Sequence, residues 1–150
     1  MKKPLRLLFV SIGLLTLLAP PAARAFIDTT IEADIPFAWR AGEAQLPPGK
    51  YRIRPPEDSN GSLLEIQSVG EGGAALIQVF GTEARLPAGD SELVFHKYGD
   101  TYYLWRIVEE GSPTGDEVPV ARSEKTLRRE LSIGERQAEV LRIPARPRAS

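Results

Sequence analysis

One stretch concentrates the side chains able to do chemistry. Leu93 to Val108, LVFHKYGDTYYLWRIV, holds the only histidine of the chain, three of its four tyrosines and one of its two tryptophans. His96 offers an imidazole that changes charge near neutral pH. Tyr98 and Tyr103 add hydroxyls, and Trp105 adds a flat apolar surface with one polar edge. Such a group suits hydrolysis or the recognition of a ligand. A Ser–His hydrolase needs a serine within hydrogen-bond reach of His96; Ser91 and Ser123 are candidates, but nothing around them in sequence marks either as a nucleophile. Glu109–Glu110 and Asp116–Glu117 offer paired carboxylates of the kind glycoside hydrolysis uses, although acidic residues in a loop are ordinarily just solvated.

Other signatures are absent from the sequence. It has no Gly-rich phosphate loop and no Gly-x-Ser-x-Gly elbow. One histidine and no cysteine exclude the usual zinc ligand sets. Asp58-Ser59-Asn60-Gly61 resembles the start of a calcium loop, but lacks the rest of the twelve-residue pattern and reads as a turn. No catalytic residue, metal site or cofactor is assigned. The candidate binding face is His96, Tyr98, Tyr103 and Trp105.

A hairpin must position that face. Gly99-Asp100 is a two-residue turn with glycine first, which suits the turns that match strand twist. Regular pairing sets Tyr98 against Thr101, His96 against Tyr103, Phe95 against Leu104, Val94 against Trp105 and Leu93 against Arg106. Leu93, Phe95, Leu104 and Val108 then share the core face, with Lys97, Tyr102 and Arg106 at its margins. Val94, His96, Tyr98, Tyr103, Trp105 and Ile107 share the other. That second face is too apolar to stand bare. Either a partner or ligand covers it, or the protein's own helix does. Ser123 to Leu131 is the only helical stretch: Ser123 caps it, Glu124 and Arg128 sit one turn apart, and Leu127 and Leu131 share the face that would lie over Trp105.

The rest reads as short strands between Gly/Pro turns. Ile31, Ala33, Ile35, Phe37 and Trp39 alternate, and Pro36 puts that strand at an edge or bulge. Further strands follow around Tyr51 and Ile53, Leu63 to Val69, and Ala74 to Phe80. After the hairpin come a loop at Gly111 to Asp116, an extended piece at Val118 to Val120 and a strand from Gln137 to Ile143. Seven or eight strands indicate a single all-β domain, residues 26–143, an antiparallel sandwich or barrel with one short C-terminal helix packed on it. Pro144 to Ser150 reads as a flexible tail. Glu43-Ala44-Gln45-Leu46-Pro47-Pro48-Gly49 recurs as Glu83-Ala84-Arg85-Leu86-Pro87-Ala88-Gly89, a weak repeat of turn chemistry linking strands. An interior cavity of roughly 300 Å³ or more would favour a small-molecule ligand.

Residues 1–25 read as a signal peptide. Lys2, Lys3 and Arg6 precede an apolar run, Leu7 to Ala19, that is shorter than a membrane span. Ala23-Arg24-Ala25 suits cleavage after Ala25, with no stable membrane anchor afterwards and a periplasmic or secreted product. The leader takes four of the 19 basic residues and none of the 20 acidic ones, so the mature charge is −5. That excludes an electrostatic hold on nucleic acid.

Three motifs also carry a resemblance. Ile35-Pro36-Phe37, Leu46-Pro47-Pro48-Gly49-Lys50-Tyr51 and Glu92-Leu93-Val94-Phe95-His96-Lys97-Tyr98-Gly99-Asp100 resemble a family of small secreted bacterial proteins of unknown function. Pro48 and Tyr103 stand where that pattern has Ala and Phe. The resemblance implies a recurring extracytoplasmic β-domain and no activity. The expectation is an exported, non-enzymatic module that binds an unknown small molecule or an envelope protein. Its rivals are a structural envelope protein whose aromatic face another protein covers, and a hydrolase using His96 or a carboxylate pair.

Overall fold

The computed structural model describes residues 29–83, 89–132, 134–135 and 137–148. The segment expected to be a signal peptide and most of the second repeat copy lie outside them. Eleven strands and one helix follow one another: β1 (Ile31–Ile35), β2 (Trp39–Ala41), β3 (Ala44–Leu46), β4 (Gly49–Arg54), β5 (Leu63–Ser68), β6 (Ala74–Gln78), β7 (Phe80–Glu83), β8 (Glu92–Tyr98), β9 (Thr101–Val108), β10 (Thr114–Glu117), α1 (Arg122–Glu130) and β11 (Glu139–Pro147).

The strands form one row, β3-β2-β9-β8-β11-β1-β4-β5-β6, which curls towards closure. Closure comes through a bend. At Val79, buried and bonded through its N–H to Ser62 O at 2.9 Å, the chain leaves β6 and enters β7. β7 pairs β10, and β10 pairs β9. The result is a nearly closed barrel with a short helix, as an all-β reading requires. One parallel contact, Arg40 with Tyr103 between β2 and β9, makes the sheet mixed.

Alternation decides which side chains enter. Ile31, Ala33 and Ile35 of β1 point inward while Glu32 and Asp34 point out. Trp39, Tyr51 and Phe95 fill the centre, packed edge-to-face at 5.1 Å for Trp39–Tyr51 and 5.6 Å for Trp39–Phe95. Burial holds the Tyr51 phenol above its usual pKa, and its hydroxyl donates to Pro47 O at 2.6 Å. Leu93, Ile53, Leu64, Ile66 and Ile107 complete a core of packed side chains.

Several expectations are corrected by this architecture. β1 is not an edge: it lies between β11 and β4, and Pro36 ends it instead of bulging it. The expected loop at Gly111 to Asp116 contains β10, whereas Val118 to Val120 links it to the helix. The expected tail is strand as far as Pro147, because Ala145 buries itself opposite Ala33 and Arg146 sits opposite Glu32. The helix begins one residue early, at Arg122.

The hairpin carries the most instructive correction. Gly99 has φ +58, and among the described residues only glycines have positive φ, so the first turn position alone is left-handed, as a II′ turn requires. Pairing then runs as expected from Tyr98–Thr101 to Phe95–Leu104. Beyond it Val94 meets Arg106 and Leu93 meets Ile107, because Trp105 is an extra, bulged residue. The bulge turns Ile107 into the core and lets Arg106 reach Glu117 at 3.1 Å on the outside. A regular ladder would have put a charged residue opposite Leu93 in the core.

Candidate functional site

The candidate face forms where α1 lies on the hairpin. Tyr98 and Tyr103 make an edge-to-face pair at 6.2 Å and are buried with Ala121; Leu127, Leu131 and Ala138 pack against them. The helix therefore covers the two tyrosines. Trp105 lies beside that cluster, its ring stacked on His96 at 4.6 Å, and the Arg106 guanidinium stands 4.6 Å from the same ring. All four candidate residues thus lie together, with the leucines packed against the cluster of Tyr98, Tyr103 and Ala121.

The centre of the contact is a carboxylate. Glu124 projects from the first turn of α1 and is only 3% exposed. Its Oε1 accepts the Tyr98 hydroxyl at 2.9 Å and faces His96 Nδ1 at 3.0 Å. One carboxylate oxygen thus joins the phenol and the imidazole. Burial, and then the bond to Glu124, push the Tyr98 phenol up to about 12. The three groups thus form a closed polar set under the helix, with desolvation offset by mutual hydrogen bonds.

Sequence reasoning missed two residues here. Glu124 falls three residues before Leu127 and seven before Leu131, so helical spacing places it on their face; that signal was available. It turns inward to the hairpin and not along the surface to Arg128. Glu43 gave no signal. Its carboxylate crosses from the β2–β3 turn to accept the backbone N–H groups of Arg122 and, at 3.4 Å, Ser123. The cap residue is Ala121, so Glu43 performs the capping expected of Ser123. Those amide bonds hold the Glu43 carboxyl below the ordinary range.

Among the described residues no nucleophile or acid pair named above converges. The Ser91 hydroxyl accepts the Glu110 N–H at 3.0 Å and lies five residues along the strand from His96, roughly 17 Å away. Glu117 pairs Arg106 on the outside while its neighbour Asp116 is buried. Glu109 accepts from Thr29. Asn60 closes on Ser62, accepting its N–H at 3.2 Å, so the calcium-like sequence is a turn. Among the described residues no three His, Asp or Glu side chains gather as metal ligands.

Two clefts open on the outside of the barrel. One, about 400 Å³, lies over β1, β4 and β11 among Glu32, Asp34, Lys50 and Arg146. The other, about 500 Å³, lies between the β2–β3 turn, β6 and the segment from Val118 to Arg122. No protein-family model, curated protein or solved structure matches the chain.

A double-mutant cycle tests the helix contact. Leu127→Ala and Tyr103→Ala should each destabilise the fold, and urea titrations should show a coupling of about 0.5–3 kcal/mol, as for residues in contact. Strict additivity would mean that α1 does not rest on Tyr103. Trp105→Ala, at the margin, should cost less than either.

Proposed function

We propose that the protein is an exported, non-enzymatic module of the cell envelope that binds a partner protein through the outside of its barrel. The observation that carries this reading is that three of the five exposed large apolar side chains among the described residues, Leu63, Leu76 and Phe80, sit on the successive strands β5, β6 and β7 at 36%, 62% and 53% exposure, and Leu76 borders the 500 Å³ cleft. Val69 and Val140 are the other two. Two features support an outer surface over an inner ligand site. Large side chains fill the barrel, and α1 covers Tyr98 and Tyr103. The hydrolase reading loses support because, among the described residues, no serine or second carboxylate bonds to His96. The His96–Trp105 margin is retained as a second, smaller candidate contact.

Photo-crosslinking tests the reading. A photoreactive residue replacing Leu76, in the protein expressed in its own envelope, should give a discrete protein adduct; the same residue replacing exposed Arg142 on β11 should not. Equal adducts from both positions, or none from position 76, would overturn it. The recovered protein, weighed intact, should begin at Phe26; a mass retaining Leu7 to Ala19 would contradict export with cleavage.

A further inference from the structure

The edge of β6 is open in a way that specifies what it takes. β5 and β6 pair with Ile66 opposite Ala75 and Leu64 opposite Ile77. Bonds from Ser68 N to Gly73 O and from Val79 N to Ser62 O fix which pairs exchange hydrogen bonds. By the antiparallel alternation, Ala75 and Ile77 bond to β5 while the N–H and C=O groups of Ala74, Leu76 and Gln78 point away from it. β6 ends the row of strands, and among the described residues no strand pairs with that side.

Natural sheets blunt such edges with lysine, proline or a bulge. Ala74-Ala75-Leu76-Ile77-Gln78 has none of these. The edge borders the 500 Å³ cleft, whose lining includes Ala41, Ile77 and Val118. β3 comes close beside the start of β6, where a Cβ on Gly73 would stand 3.9 Å from Leu46 Cδ2. Leu76, Ile77 and Gln78 line the cleft beyond that point.

Its mouth is positive. Arg122 and Lys125 line it, and neither side chain makes a hydrogen bond or ion pair among the described residues. The one acidic side chain in the lining, Glu43, accepts the α1 amides and also feels the Arg122 charge. Two cations thus face one carboxylate in the lining, on a chain that is otherwise net acidic.

We infer that the β6 edge adds an extended segment of a partner polypeptide, whose carboxylate-bearing side chain is read by Arg122 and Lys125. This rests on the partner-binding reading above and names its partner class. Strand addition supplies main-chain bonds to Leu76 and Gln78, with side-chain specificity from the pockets beside them. An acyl chain would leave those edge groups unpaired. A second copy of β6 would bring no carboxylate, since Ala74–Gln78 holds none.

A random heptapeptide display library panned against the purified protein tests this. Enriched sequences should lack proline and carry Asp or Glu at a fixed position. Affinity of the best peptide should fall at least 10-fold in the Arg122→Glu/Lys125→Glu double variant. Leu76→Pro, which removes one outward N–H and leaves the β5 ladder intact, should cost a similar factor. Should that variant unfold, amide exchange on the unaltered protein serves instead: bound peptide should slow exchange at Leu76 and Gln78. Absence of an acidic motif, indifference to charge reversal, or protection elsewhere would overturn the proposal. So would laurate binding without peptide binding, or self-association abolished by Leu76→Pro. A protein adduct from position 76 with no acidic peptide motif would remove this inference and leave the partner-binding reading standing.

Discussion

Phe95→Ala will cost the fold about 3–5 kcal/mol, the usual range for deleting a buried aromatic side chain. Phe95 is fully buried at the centre of the barrel, where Phe37 meets its ring at 5.5 Å and Trp39 at 5.6 Å, both edge-to-face. Phe37 also stacks on Tyr102 at 4.0 Å, so the cavity would loosen a chain of rings reaching from β1–β2 to β9. Fixed backbone pairing on both sides of Phe95, to Leu141 of β11 and Leu104 of β9, keeps the walls from collapsing inward. Urea denaturation reads the loss. A cost under about 1 kcal/mol would place Phe95 on the outside and reverse the faces of the hairpin.

Glu124→Ala is the second large effect, expected at about 2–3 kcal/mol. The substitution does more than remove a contact. It leaves the Tyr98 hydroxyl, 6% exposed as a residue, without its acceptor, and an unpaired buried donor carries the full desolvation penalty. Glu124→Gln retains the shape and an acceptor oxygen and should cost less. The same set makes a prediction in base. Tyr98 holds its proton to about pH 12, against 10.0 for a free phenol. Because the folded value is the raised one, this contribution is fully present below pH 10 and is lost as pH rises from 10 to 12. Denaturant midpoints across that window should fall more steeply in the parent than in Tyr98→Phe. A neutral Glu124→Ala substitution with an unchanged alkaline profile would show that the helix does not bury this carboxylate.

Much of the fold was legible because its signals are local. Ile31, Ala33 and Ile35 alternate, Gly99-Asp100 fixes a hairpin, and Leu127 and Leu131 mark a helix face; each needs only neighbours in sequence. What escaped depends on distant partners. The Trp105 bulge follows from the need to seat Ile107 inside and to bring Arg106 to Glu117 on β10, a strand invisible in Thr114–Glu117 because Thr-Gly-Asp-Glu has no apolar alternation. β11 continues through Pro144 and Pro147 because β1 receives it, and no feature of that polar, proline-containing stretch announces the pairing. In the candidate site, His96, Tyr98, Tyr103 and Trp105 were brought together by hairpin register alone. Glu124 was readable from helical spacing and was assigned to the wrong neighbour. Glu43 lies 79 residues from the amide it caps, a separation at which a single sequence carries no signal.

The functional claim is that the binding surface is the β6 edge, with the aromatic face serving to hold α1. The most direct measurement is in-envelope crosslinking from a photoreactive residue replacing Phe80, next to that edge, in Leu76→Pro and in Trp105→Ala backgrounds. The account predicts that the protein adduct survives Trp105→Ala and disappears in Leu76→Pro. An adduct that survives Leu76→Pro and is lost in Trp105→Ala would contradict it and return the function to the His96–Trp105 face.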